Sequence, residues 1–170
     1  MISLQVFHCL HEADKGGENI LVDGFNIAEK FKRSCPEGFK FFSETPLACE
    51  YIHTKTSPKE HYHSSDPIFK HDSKEKNKLI QFRYNVYDRA PHQFDLDTQR
   101  KFYKYLPELA KEIKDDSNAY EVKLSPGTIL IVDNWRIMHA RNGFSGKRIM
   151  SGCYVTRDDF MSAAKSLELV

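Results

Sequence analysis

The chain reads as a mainly β protein with helical insertions, an α+β arrangement of two sheets with helical buttresses, and three observations predict that class. Short apolar or alternating segments bounded by Gly, Pro, Asn and Asp recur from one end to the other. Two or three helical periods interrupt them, without the strand–helix–strand alternation that builds a parallel sheet. The 170 residues suit one domain, and 40% hydrophobic with 12% aromatic content is enough for a core.

Leu4, Val6 and the run Phe7-His8-Cys9-Leu10 predict a first strand. Residues 14–19 supply turn chemistry, and residues 20–23 a second strand that would close a hairpin-like unit with the first. A short helix follows from Asn26 with Ile27, Ala28 and Phe31 on one face; Pro36-Glu37-Gly38 breaks it before a second short turn at residues 39–43. Pro46 releases the chain into a strand over residues 47–53. Residues 54–66 are polar and aperiodic, which predicts a loop or lid.

Residues 67–71 and 79–84 predict two strands about a charged, solvated tip at 72–78. Asp95 and Thr98 can cap a helix running to Lys114, with Phe102, Leu106, Leu109 and Ile113 on one face and Pro107 expected to kink or restart it. Residues 120–124, 128–132 and 148–156 predict strands, with Ser125-Pro126-Gly127 as a turn. Asp158 would cap a last helix whose Phe160, Ala164 and Leu167 share a face.

Composition excludes several function classes. With 25 basic and 24 acidic residues the net charge is +1, so no global field draws the chain to nucleic acid or an anionic membrane. No apolar run approaches the roughly 20 residues of a membrane-spanning helix, and the segment after Met1 is strand-like, not a targeting leader. Cys9, Cys35, Cys49 and Cys153 are far apart, which suits reduced thiols better than a zinc knuckle or a disulfide framework.

The chemistry concentrates in residues 126–157. A turn and a buried strand lead to a polar corner presenting His139, and a glycine-containing loop returns the chain at Arg148 on a neighbouring strand. An imidazole and a guanidinium so placed can serve one metal and one carboxylate. Tyr154 lies six residues after Arg148, and even spacing on a strand puts both on one face. Taken singly, each has a plainer reading: His139 as a satisfied strand-end histidine, Tyr154 as a core tyrosine, and Tyr84 and Asn85 as parts of an ordinary strand. His61 and His63 lie in the polar stretch without a carboxylate at a fitting distance except Asp66, and read as surface histidines.

The segment Asp133-Asn134-Trp135-Arg136 with His139 resembles the C-terminal half of the iron(II) and 2-oxoglutarate-dependent oxygenases, in particular their carnitine-pathway branch. Val6-Phe7-His8-Cys9-Leu10, Leu21-Val22-Asp23-Gly24-Phe25, Arg83-Tyr84-Asn85 and Gly152-Cys153-Tyr154 through Thr156-Arg157-Asp158-Asp159 are similar to its trimethyllysine-hydroxylating members. The resemblance implies an incomplete double-stranded β-helix, or jelly roll, and hydroxylation of N6-trimethyllysine at C3, with iron(II), 2-oxoglutarate as co-substrate and supporting ascorbate. It implies His139 as the distal metal ligand, Arg148 as the arginine for the distal carboxylate of 2-oxoglutarate, and Tyr154 as part of an aromatic cage for the quaternary ammonium. Tyr84 and Asn85 would line the amino-acid end of the substrate. Asn19 stands where many relatives carry a threonine that helps to bind 2-oxoglutarate; asparagine still offers a hydrogen bond, with a longer reach. Arg136 and Arg141 are weaker candidates, better suited to holding the loop or pairing with Asp133. The family implies a mitochondrial matrix location, a small-molecule substrate without nucleic acid or membrane, and leaves a homodimer open.

The resemblance stops short at the metal. Its first two ligands come as His-x-Asp or His-x-Glu, and none of the eight histidines here has a carboxylate two residues later. In the relatives that motif shortly precedes the segment matching Leu4-Gln5-Val6-Phe7, so it is expected upstream of Met1, with residues 1–170 as the C-terminal part of one catalytic domain. Two other readings stay open: a γ-butyrobetaine hydroxylase-like enzyme, and a non-catalytic jelly-roll interaction module. One imidazole with scattered carboxylates does not hold iron(II) tightly. The purified 170-residue chain is therefore expected to release no succinate from 2-oxoglutarate, and iron-dependent release would refute that.

Overall fold

A computed structural model describes residues 2–55, 57–75 and 77–169, with backbone only for Ile2 and Ser3. The chain divides into two compact units, one formed by Met1–Asp23 with Ala119–Val170 and the other by Gly24–Asn118.

The first unit is two three-stranded antiparallel sheets. β1 (Ile2–His11) is central in one, flanked by β12 (Ile149–Thr156) and β9 (Ile129–Asp133). β3 (Asn19–Asp23) is central in the other, flanked by β10 (Ile137–Arg141) and β8 (Ala119–Val122). A two-residue ribbon, β2 (Lys15–Gly16) against β11 (Phe144–Ser145), completes the unit. The expected hairpin of the first two strands does not form, because the chain leaves β1 in one sheet and enters β3 in the other. A turn at Gly16 and Gly17, both at positive φ, makes this crossing, in a region of backbone space that costs a side chain energy and glycine none. Alternation between sheets continues through β8, β9, β10 and β12, the winding of a double-stranded β-helix.

Sequence accounts for the local detail. Cys9, 1% exposed, donates its thiol to Leu124 O at 3.1 Å, while its backbone carbonyl and amide bond Gly127 and Thr128 and so fix the 125–128 turn. Such a thiol acts as a small buried hydrophobe. Between β9 and β10 the Asp133 carboxylate accepts from Trp135 N at 3.0 Å, an Asx turn that reverses the chain. Helix α4 (Arg157–Ser166) is capped by Thr156, whose hydroxyl oxygen accepts from Asp159 N, and not by Asp158, which lies inside the first turn. Only Ala164 of its expected apolar face is buried; Phe160 and Leu167 are exposed.

The second unit packs α1 (Gly24–Ser34), α2 (Pro36–Glu44) and α3 (Leu96–Lys114) with two hairpins, β4–β5 (Leu47–His53 and Glu60–Asp66) and β6–β7 (Phe69–His71 and Leu79–Phe82). Pro36 opens a full helix where only a turn was expected, since the first helical position needs no N–H. Residues 60–66, expected in a loop or lid, form β5 in register with β4: polar residues suffice because no residue of β5 is buried, and Leu47 at the start of β4 alone reaches the core. Asp95 caps α3 as expected, and the helix continues through an exposed Pro107. The core is aromatic: Phe31 has Phe42 at 6.3 Å and Phe69 at 6.0 Å, and Phe102 meets Phe42 edge-on at 6.0 Å. Phe31, Phe42, Phe69 and Phe102 are all 0% exposed. Phe31→Ala should lower unfolding free energy by about 3–5 kcal/mol, measured by urea denaturation, because the rigid neighbouring rings cannot collapse into the space.

Candidate functional site

The site is built on strand alternation within the first unit. His139 lies in the middle of β10, where the sequence suggested a corner after β9; the Asx turn at Asp133 ends β9 early enough for a separate strand. It pairs with Leu21 on β3, and Asn19, two residues before Leu21, pairs with Arg141. Asn19 and His139 therefore share a face of their sheet. Across from that face the Phe7 ring of β1 meets the His139 ring edge-to-face at 5.6 Å. This contact joins the sheets and marks their facing sides.

On β12, Gly152 pairs with Phe7 and Tyr154 with Gln5, so Tyr154 lies on the Phe7 side of its sheet. The register shift toward the β12 start comes from an additional residue, Leu10, on β1, which leaves the alternation of β12 intact. Arg148, just before β12, falls in phase with Met150, Gly152 and Tyr154. Tyr154 is 64% exposed, which sets it apart from a packed core tyrosine.

Three constraints surround Arg148. His11 Nδ1 donates to Lys147 O at 3.2 Å, holding the residue before it. Gly17 sits beside it at positive φ, where a Cβ would come within a tight 3.3 Å of Phe144 Cβ and within ordinary contact, 3.5 Å, of Arg148 Cδ. The Phe144 ring lies 6.0 Å from the Arg148 guanidinium carbon and 4.5 Å from that of Arg141. Phe144 was not legible as part of a site; the only signal was its place between the arginines.

The other candidates have settled partners. Asn19 Nδ2 donates to Val122 O at 3.5 Å, a long bond. Arg136 is bound two-pronged to Asp23, Nε to Oδ1 at 3.1 Å and Nη2 to Oδ2 at 2.6 Å, which ties the β10 entry to the β3 end and raises the pKa of the guanidinium. Tyr84 and Asn85 belong to the second unit. Asn85 Oδ1 accepts from Tyr87 N at 2.8 Å and its amide donates to Asp88, an Asx turn. Tyr84 packs beside Phe82 at 6.5 Å, and burial raises its pKa against the opposing effect of Arg89. His61 Nε2 donates to Glu50 Oε1, 2.7 Å away.

Although His139 keeps an exposed edge, the protein packed around the imidazole withdraws it from bulk water, and that desolvation lowers its pKa below 6.5. That shift favours the neutral form, in which a ring nitrogen can donate a lone pair to a metal. The fit to iron ends there, because among the described residues no group of three or more His, Cys, Asp and Glu is placed to hold a metal ion. Within its sheet β10 has β3 as its one described neighbour, so the other edge beside His139 is open. The first unit thus carries an imidazole at His139 and an exposed ring at Tyr154 on facing sides of its sheets, with the Arg148 guanidinium just before β12.

Comparisons with known proteins agree with this geometry. The chain is 39% identical over 167 residues to the mitochondrial trimethyllysine dioxygenase of Bos taurus, covering 98% of this chain and 39% of that protein. It is 30% identical over 162 residues to the γ-butyrobetaine dioxygenase of Pseudomonas sp. strain AK-1, covering 94% and 41%. It thus spans about two fifths of the length of the curated relatives it matches. Among solved structures, an asparagine oxygenase in complex with Fe(II), 2S,3S-3-hydroxyasparagine and succinate superposes with a TM-score of 0.60 at 17% identity, covering 91% of this chain and 45% of that one. The double-stranded β-helix of the iron and 2-oxoglutarate oxygenases is therefore the fold. The model of the taurine catabolism dioxygenase TauD, TfdA family matches residues 1–154, and the chain belongs to that family.

Proposed function

We propose that the chain forms the C-terminal part of the catalytic domain of an iron(II) and 2-oxoglutarate-dependent dioxygenase that hydroxylates N6-trimethyllysine at C3 in carnitine biosynthesis. The observation that supports this reading is that His139 and Tyr154 lie on facing sides of two sheets joined by the Phe7–His139 contact, with Arg148 immediately before the strand that carries Tyr154. His139 contributes one imidazole to iron, and the open edge of β10 leaves room beside it for ligands from a further strand. When bound, iron supplies the oxidising chemistry that the side chains lack. Arg148 takes the distal carboxylate of 2-oxoglutarate, and Asn19, on the His139 face, stands by as a second polar contact. Tyr154 offers its ring to a trimethylammonium group, which has no N–H to donate and is recognised by aromatic faces. The partner is a small molecule, the location mitochondrial as in the bovine relative's name, ascorbate a supporting reductant, and a homodimer compatible with this reading.

The higher identity to a trimethyllysine dioxygenase, 39% against 30% for a γ-butyrobetaine dioxygenase, supports the first substrate. A chimera in which residues 1–170 replace the matching segment of the bovine protein tests both. Hydroxylation of trimethyllysine in preference to γ-butyrobetaine supports the reading; the reverse preference overturns the substrate, and no turnover by a folded chimera overturns the activity. In that chimera Arg148→Gln should raise KM for 2-oxoglutarate about 10–100-fold, the worth of a charge-assisted contact. Tyr154→Leu should raise KM for trimethyllysine about tenfold with 2-oxoglutarate KM unchanged.

The imidazole also makes a pH prediction. Since the folded-state pKa of His139 lies below its unfolded value of 6.5, the unfolded chain takes up the proton first as pH falls, and the contribution of His139 to stability drops below pH 6.5 until the folded pKa is passed. An NMR titration should place its Cε1–H midpoint below 6.5. His139→Leu should flatten the acid side of the stability profile while His71 and His92, also lowered by desolvation, keep their part.

A further inference from the structure

Arg141 and Arg148 approach one ring, Phe144, that is itself 44% exposed. Burial does not hold so open a ring in place. Main-chain bonds do: Phe144 pairs with Gly16, Gly17 N donates to Gly143 O at 3.1 Å, Asp14 N donates to Ser145 O at 3.1 Å, and Asn142 N donates to Glu18 O at 2.9 Å. The ring is thus carried on a short, locked ribbon in which Gly17, at positive φ, leaves room beside the Phe144 Cβ.

Two guanidinium groups drawn to one ring repel each other. Among the described residues neither meets a carboxylate: Arg141 Nη1 donates to Asn142 O at 2.9 Å, and the contact of Arg148 is the ring. The electron-rich ring face offsets part of that repulsion, and a bound anion would offset the rest. An arginine free to rotate loses that freedom when it grips a ligand, whereas one already drawn toward a ring loses less.

We propose that Phe144 is the positioning residue of this anion site: its ring fixes the Arg148 guanidinium, with Arg141 as companion cation, so that the carboxylate of a small dicarboxylic acid meets an oriented fork. The inference rests on the reading of Arg148 as the arginine of the co-substrate, and deepens it. Phe144 acts through Arg148 and needs no contact with the ligand.

The test is calorimetric and NMR titration of 2-oxoglutarate into the purified 170-residue chain without metal, at low ionic strength. The parent should bind, Phe144→Leu should weaken binding about tenfold, and Phe144→Tyr, which keeps the ring, should restore it to within about twofold. In an Arg148→Gln background Phe144→Leu should have no further effect, a non-additivity that a general loss of structure would not produce. Equal weakening by Phe144→Leu in both backgrounds, or parent-like binding by that variant, overturns the role of Phe144 and leaves the reading of Arg148 standing. Absence of binding by the folded parent overturns the reading of Arg148 and the inference with it.

Discussion

Pairing along β1 is the constraint on which the rest of the first unit depends. Residues from Leu4 to His8 pair with β9 on one side and with β12 on the other, so one strand fixes the register of two. A one-residue slip would turn every side chain of β1 to the opposite face and carry Phe7 away from His139. The same register sets Tyr154 opposite Gln5 and Gly152 opposite Phe7, where a side chain on Gly152 would strike the Val6 carbonyl. Site geometry and sheet register are thus one property.

The second dependence is on backbone that only glycine tolerates. Gly16, Gly17 and Gly146 take positive φ around the β2–β11 ribbon, and side chains at the first two would meet Gly143 O and the Phe144 and Arg148 side chains. The ribbon is two residues wide, yet it carries the chain between sheets and sets the ring against which two arginines lie. In the second unit stability has another source, a cluster of phenylalanines from three helices and a hairpin, with no part in the chemistry of the first.

Much of this was legible. Helical period located α1 and α3, and the cap at Asp95 was readable because a carboxylate three residues before a free N–H is a local arrangement. The apolar strands β1, β9 and β12 are legible to within a residue or two, β9 as a continuous apolar run. The misses have physical causes. β5 is polar on both sides, so it carries no alternation, and its pairing with β4 is a long-range event. β10 was hidden because its sequence runs on from β9 through a turn that the Asp133 side chain makes, not a glycine or proline. Phe144 is an ordinary aromatic residue until the ribbon brings the arginines to it.

Sequence by itself determined the family, the spacing of His139, Arg148 and Tyr154, and the lack of any His-x-Asp or His-x-Glu pair. These are properties of residue type and spacing, and spacing along one strand fixes which side chains share a face. Tertiary structure decided which face meets which. It sent β1 and β3 into different sheets, set His139 against Phe7 across the space between them, and brought the Phe144 ring to 6.0 Å from the Arg148 guanidinium carbon. Those contacts join residues more than a hundred positions apart in the one case and across a folded ribbon in the other, and sheet pairing, not local preference, brings them together.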